Sequence, residues 1–266
     1  MEKQFIKYNG KNYEVKEPTI DVWGKLASLQ DWTEENEFSV LLISEVTGLS
    51  KDEILMSDWK DILVASQNLS NYLLNQGKEF YNEFEFGGQK YKFVDLPNLS
   101  FGEFVDIDSY LTKPLVERRR ELHFLAAMLY REVDEDGNIK RYNGNDLPGR
   151  AEKFKKLPIK YLNGASSFFF AYRKNITGKY TNLFKNTIQD EDEGDLDARE
   201  IDSFNKHWGW FDTMVTLAKE DITKIEQITT YPLIFVLNFL AILTDKRQLQ
   251  ERDRQKQQMR LNANKR

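Results

Sequence analysis

The chain has 266 residues, 40% of them hydrophobic, enough to bury the core of one large domain or two modest ones. A net charge of −5 is too small to dictate a partner and argues against a dedicated DNA-coating protein. The absence of cysteine excludes disulfides, thiolate metal sites and a cysteine nucleophile, and it fits a reducing compartment.

The first predicted element is a hairpin. In QFIKYNGKNYEV, Ile6 and Tyr8 alternate with polar residues, Asn9-Gly10 supplies the turn, and Tyr13 and Val15 alternate on the return. Asn-Gly is a strong hairpin signal because both residues tolerate the positive φ of a two-residue turn. A second copy follows 78 residues later: Phe84, Phe86, Tyr91 and Phe93 hold the apolar positions and Gly87-Gly88 the turn. Without a gap, Trp23-Gly24 falls on Phe101-Gly102, Leu26 on Phe104 and Leu29 on Ile107. Two readings stand: an internal duplication of a hairpin–helix unit, near 5–29 and 83–107, or a chance likeness of short hairpins. Two copies are too few for a solenoid.

Between the copies, Phe38, Leu41, Leu42 and Val46 mark a helix that stops at Gly48. Ser50 with Glu53 makes a capping box for a short helix through Met56, and Ile62, Leu63, Leu69, Leu73 and Leu74 mark a longer one. After Pro114 a single helix carries Leu115, Leu122, Leu125, Ala126 and Leu129, with Arg118-Arg119-Arg120 near its start. YREVDEDGNIKRY, 130–142, reads as a third hairpin turning at Asp136-Gly137. From Pro158 to Tyr172 runs an aromatic helix with Phe168, Phe169 and Phe170, expected to be buried on most sides.

DEDEGDLD, 190–197, packs six carboxylates into eight positions and reads as an exposed linker. Beyond it Ile201, Phe204, Trp208, Phe211, Val215 and Ala218 mark one helix face, Ile222, Ile225 and Ile228 a short helix, and Pro232 opens the last. That helix is apolar through 243, but 245–266 carries eight Lys or Arg against three acids, a segment that is solvated, frayed or waiting for a partner. The run YPLIFVLNFLAIL is shorter than the ~20 residues of a membrane span, and Asn238 interrupts it. MEKQFIKYNG has no secretory apolar core, so a soluble cytoplasmic chain is expected.

The expected fold is therefore mainly α (α+β): a helical protein with two or three short β-hairpins and an extended charged C-terminal helix. Its expected organisation is an N-terminal helical domain over 1–188, the acidic linker over 189–198 and a C-terminal helical region over 199–266.

Catalytic apparatus is not legible. The chain has no phosphate-binding G-x-x-x-x-G-K-[ST], no dinucleotide G-x-G-x-x-G and no H-E-x-x-H. His123 sits among apolar neighbours in RRRELHFLAAM and reads as a core histidine; His207 is far from it in sequence. DEDEGDLD lacks the ligand spacing of an EF-hand. The expectation is a protein that is not an enzyme and uses no cofactor or metal. Arg118–Arg120 and the basic tail leave nucleic-acid binding unfavoured but open, since neither carries the interleaved aromatics of a single-strand binder.

Several stretches together resemble proteins from tailed-bacteriophage virion gene clusters. They are FSVLLISEVTGLSKDEI (38–54), the hairpin FEFGGQKYKF before LSFGEFVDID, ELHFLAAMLYREV, and W-x-W followed by LAKEDITKIEQITTYPLIFVLNFL. The resemblance is to tail assembly chaperones or related structural-cluster proteins. It implies a non-enzymatic adaptor in the cytoplasm of the infected host, shielding apolar helices of another phage protein such as the tape-measure protein. Its alternative is a virion component: a connector, a portal-associated protein or a cargo protein. Homo-oligomerisation stays open, and no membrane partner is implied. A helix-accepting surface needs apolar side chains on a helix face with polar edges. The residues assigned to it are Phe204, Trp208, Trp210, Phe211, Phe235 and Phe239, with Arg252 and Arg254 in the tail. Those same aromatics also read as the core of the C-terminal region.

Overall fold

The two turns read from the sequence close hairpins of the same register. In the computed structural model, which describes residues 5–29, 35–75, 79–184 and 209–263, β1 (Phe5–Tyr8) pairs antiparallel with β2 (Lys11–Glu14). Further along, β3 (Glu83–Phe86) pairs with β4 (Gln89–Phe93). Ile6 faces Tyr13 as Phe84 faces Tyr91, and Asn9-Gly10 and Gly87-Gly88 all take positive φ. The described residues are mainly helical, with two small antiparallel sheets.

They group into two compact units, Met1–Val94 with Tyr110–Phe169 and Asp95–Ser109 with Phe170–Arg266. This grouping interleaves the chain, whereas the sequence suggested a division at 189–198. That acidic stretch lies outside the described residues.

In the first unit, hairpin β1–β2 covers a helical layer of α1 (Ile20–Leu29), α2 (Glu35–Thr47), α3 (Lys51–Leu55) and α4 (Trp59–Asn75). Ile6, Tyr8, Leu26, Ile43, Val46, Ile54, Ile62 and Leu69 form its core. The buried Tyr8 hydroxyl donates to the Ile54 carbonyl at 2.9 Å, so the ring is buried without orphaning its polar end. Ser50 and Glu53 form the reciprocal capping box that starts α3.

A second cluster surrounds the three-stranded sheet in which β4 pairs with β5 (Tyr130–Glu132). Phe84 stacks on Tyr161 at 4.3 Å between ring centres, and Tyr91 meets the Phe154 ring edge-on at 4.8 Å. Aromatic pairs at such distances add about 1 kcal/mol each beyond their buried area.

Two expectations need correction here. The helix after Pro114 is broken: α6 (Leu115–Arg120) ends at Glu121, and α7 (Leu122–Leu129) restarts there. Arg118–Arg120 therefore form the last turn of α6, where cations oppose the negative end of the helix dipole. Arg119 also donates to the Ala27 carbonyl at 2.9 Å, a packing role.

The third hairpin forms but is short: around the turn at Gly137 its arms are joined by the Val133–Ile139 bridge, with the Lys140 N–H donating to the Glu132 carbonyl and the Asp134 N–H to the Asn138 carbonyl, both at 2.9 Å. Of the three consecutive phenylalanines of α9 (Ile159–Lys179), only Phe169 is fully buried; Phe168 is 50% exposed and Phe170 42%. Phe168 stacks on Phe80 instead. The helix α8 (Leu147–Phe154), which no sequence pattern had marked, packs on α7.

The gapless hairpin–helix repeat is not reproduced as a unit. Thr19 and Ser100 each precede a helix and each bridge to a proline, Pro158 and Pro232. These matching positions are 81 residues apart, three more than the hairpins. The second hairpin belongs to the first compact unit, while residues 95–107 belong to the second.

Candidate functional site

The second unit contains the residues that the sequence singled out for docking. Its helices are the first part of α5 (Phe101–Thr112), the last part of α9, α10 (Thr181–Phe184), α11 (Trp210–Ala218), α12 (Ile225–Thr229) and α13 (Leu233–Ala263). Ser100 and Glu103 cap the start of α5. The Phe101 N–H donates to the Tyr231 carbonyl and the Leu233 N–H to the Leu99 carbonyl, both at 2.8 Å, which ties the start of α13 to the start of α5.

Trp210 is an anchor inside this unit. Its ring lies edge-on to Phe101 and Phe104 at 5.6 and 5.8 Å, with Phe184 at 5.9 Å. Its indole N–H donates to Asp108 Oδ2 at 2.8 Å, and Arg173 Nε donates to the other oxygen of the same buried carboxylate. Trp210 thus belongs with the core reading of these aromatics. Phe204 and Trp208 lie outside the described residues, as does His207.

Phe211, next to Trp210, is 46% exposed. The larger exposed feature is on α13. Leu233, Val236 and Leu237 are buried and anchor the start of the helix, each contributing about 2 kcal/mol of apolar burial. At ~100° per residue these three share one face.

Phe235, Phe239 and Ile242 fall on the opposite face at i, i+4 and i+7, and they are 60%, 49% and 63% exposed. Tyr231 lies beside Phe235, with 5.9 Å between ring centres, and Leu249 continues the row two turns further on. One helix thus carries two apolar stripes, one used in the fold and one facing outward.

The edges of the outward stripe are polar. Asn238 accepts from the Tyr180 hydroxyl at 2.8 Å, and Asp245 accepts from the Asn182 side chain at 3.0 Å. From 245 to 262 every residue of α13 is exposed, Arg252 and Arg254 included. These residues amount to ~27 Å of helix. Arg252 and Arg254, two residues apart, point to different sides and share no single surface.

The sequence reading missed Ile242 and Leu249. The 4-3 spacing of 235, 239, 242, 246 and 249 was available as a signal, but Lys246 interrupts it and the buried face masks it.

No group of three or more His, Cys, Asp or Glu among the described residues is placed to hold a metal, and no described helix is long and apolar enough to cross a membrane.

His123, on α7, is buried against Phe124. Burial, aided by the Lys155 charge, pushes its pKa below the usual 6.5, against smaller opposing effects of Glu152, Glu121 and Asp21. A neutral imidazole in the fold and a protonated one in the unfolded chain mean that the unfolded state binds more protons below pH 6.5. The His123 contribution to stability is complete above that value and is lost as the pH falls from there toward the depressed folded value. Urea midpoints between pH 7.5 and 5 are expected to fall for the native protein and to fall less steeply for His123→Leu. Equal slopes would remove His123 from the pH response.

Comparison with known proteins gives no matching family model, no matching curated protein and no matching solved structure.

Proposed function

We propose that the chain is a non-enzymatic bacteriophage protein, a tail assembly chaperone or adaptor that docks an apolar helical segment of another phage protein. The observation that carries this reading is the outward stripe of Phe235, Phe239 and Ile242, opposite the face by which α13 is anchored. An amphipathic helix laid along it would bury side chains now half exposed, with anchors at i, i+4 and i+7 spacing. The occupant on this reading is a helix of the tape-measure protein, met in the cytoplasm of the infected cell before the tail tube closes around it.

The exposed stretch 245–262 favours one second reading, a structural virion component that interlocks with neighbours through this arm. Mass spectrometry of purified particles separates the two, because an assembly chaperone is absent from mature virions. The hairpin duplication enters the proposal only as scaffold: shared register and turn support it, and the three-residue shift of the helices makes it gapped.

Coexpression with the tape-measure product tests the docking. The native protein is expected to co-purify with it and raise its solubility. The double substitution Phe235→Ser and Phe239→Ser is expected to weaken the complex by about 100-fold or more, since aromatic anchors carry ~2 kcal/mol each. Its thermal stability should stay near native, because both rings are already exposed. No complex with the native protein, or one insensitive to both substitutions, would remove the proposal.

A further inference from the structure

A cleft of about 470 Å3 in the first unit brings five cations together: Arg131, Lys140, Arg141, Arg150 and Lys153. The fold assembles them from three places. Arg131 is on β5, Lys140 and Arg141 lie just beyond the turn at Gly137, and Arg150 and Lys153 share one face of α8 at i, i+3 spacing. Among the described residues lining the cleft, the carboxylates are Glu132 and Asp146. Five cations against two carboxylates leave a local surplus of three positive charges in a chain of net charge −5.

Arg150 is one of the residues lining the cleft. Its guanidinium sits 6.0 Å over the Tyr142 ring, and its Nε and Nη2 are buried without a hydrogen-bond partner among the described residues. Buried donors of this kind are rare in folded proteins and costly when left unsatisfied. A planar guanidinium offers parallel N–H groups matched to two oxygens of one phosphate.

Glu132 holds Lys140 at 2.7 Å and Lys153 at 3.4 Å, and the Lys140 hydrogen bond foremost keeps its carboxyl below the usual range. One carboxylate shared by two ammonium groups with three donors each leaves donors over for a ligand.

We propose that this cleft binds a diphosphate group, either as free pyrophosphate or on a nucleoside. A diphosphate brings about three negative charges at neutral pH, the size of the local surplus, where a single carboxylate would leave most of it uncompensated. Concave walls of one sign focus the field on a small anion. The inference rests on residues other than those of the docking stripe and stands or falls separately from it.

Titration calorimetry of the full chain at fixed ionic strength tests it, with inorganic pyrophosphate, adenosine diphosphate, guanosine diphosphate, acetate and a DNA duplex as probes. Pyrophosphate is expected to bind and acetate not. Equal affinity for pyrophosphate and the nucleotides identifies the free anion as the ligand, and tighter binding of a nucleotide identifies the nucleoside form.

Arg150→Gln is expected to weaken pyrophosphate binding about tenfold. Glu132→Gln is expected to strengthen it on the order of fivefold, because it removes a competing negative charge. These opposite signs distinguish a binding site from a structural charge cluster. If Arg150→Gln does not fold, Glu132→Gln decides: unchanged affinity overturns the proposal. Absence of pyrophosphate binding by the native chain overturns it too, as does binding of DNA alone.

Discussion

Gly164→Ala is expected to destabilise the protein by about 3 kcal/mol, the upper range for overpacking a closed site. Gly164 lies in the first turns of α9, where its missing side chain admits the segment at Glu79 and Phe80. A Cβ there would stand 2.1 Å from the Glu79 carbonyl oxygen, 2.8 Å from its carbon and 3.0 Å from Phe80 Cα. All three are backbone atoms, so no rotamer change relieves the clash and either the helix or the segment must move. The contacts at risk are those made beside it, including the Phe80–Phe93 and Tyr81–Tyr161 ring pairs at 5.0 and 4.9 Å.

Gly178→Ala, in the same helix, is the control. A Cβ at Gly178 meets nothing within 4 Å, and replacing a helical glycine in open space is expected to stabilise by ~0.5–1 kcal/mol. Urea denaturation followed by circular dichroism should move the two midpoints in opposite directions. If Gly164→Ala left the midpoint in place, the close approach would be wrong.

Asp108→Ala is expected to cost about 3 kcal/mol or more, by a different mechanism. The Asp108 side chain is 8% exposed and serves two donors, Arg173 Nε and the Trp210 indole N–H. Its removal strands a guanidinium and an indole donor together, and breaking one side of a buried pair costs more than the pair contributes. Asp108→Asn keeps an acceptor for Trp210 but loses the charge opposite Arg173, so it should fall between Ala and the native protein. The near-ultraviolet circular dichroism signal should weaken with Asp108→Ala as Trp210 loses its fixed setting. Equal stability of Asp108→Ala and the native chain would show that this network does not hold the second unit together.

Local patterns carried the fold class. The turns at Asn9-Gly10 and Gly87-Gly88, the Ser50–Glu53 capping box and the spacing of Ile62, Leu69 and Leu73 are each set by interactions within a few residues of chain. Helix α8 escaped because it is short, follows Asn143 and Gly144 and carries Pro148 in its first turn, residues that read as loop until packing on α7 selects the helix. The break at Glu121 escaped for the converse reason: the apolar spacing runs on across it, while Glu121 leaves helical geometry at φ −106°.

The candidate site was legible only in part. Aromatic enrichment pointed to α13, because Phe235 and Phe239 are simply there to be counted. It could not separate Trp210, held by Asp108 against Phe101 and Phe104, from Phe235, on the outer face, since both are large, apolar and close to a helix start. The cationic cleft was invisible: Arg131, Lys140 and Arg150 lie in three elements of different type, and nothing in their spacing brings them together.

The amino-acid sequence by itself determined the helical character, the paired hairpin turns and the lack of thiol chemistry, because each depends on residue type and near-neighbour spacing. Tertiary structure alone decided which aromatics are core and which are surface, which glycine lets two backbones touch, and where unlike elements gather charge. Those outcomes depend on contacts between residues far apart in the chain, and local propensity does not encode them.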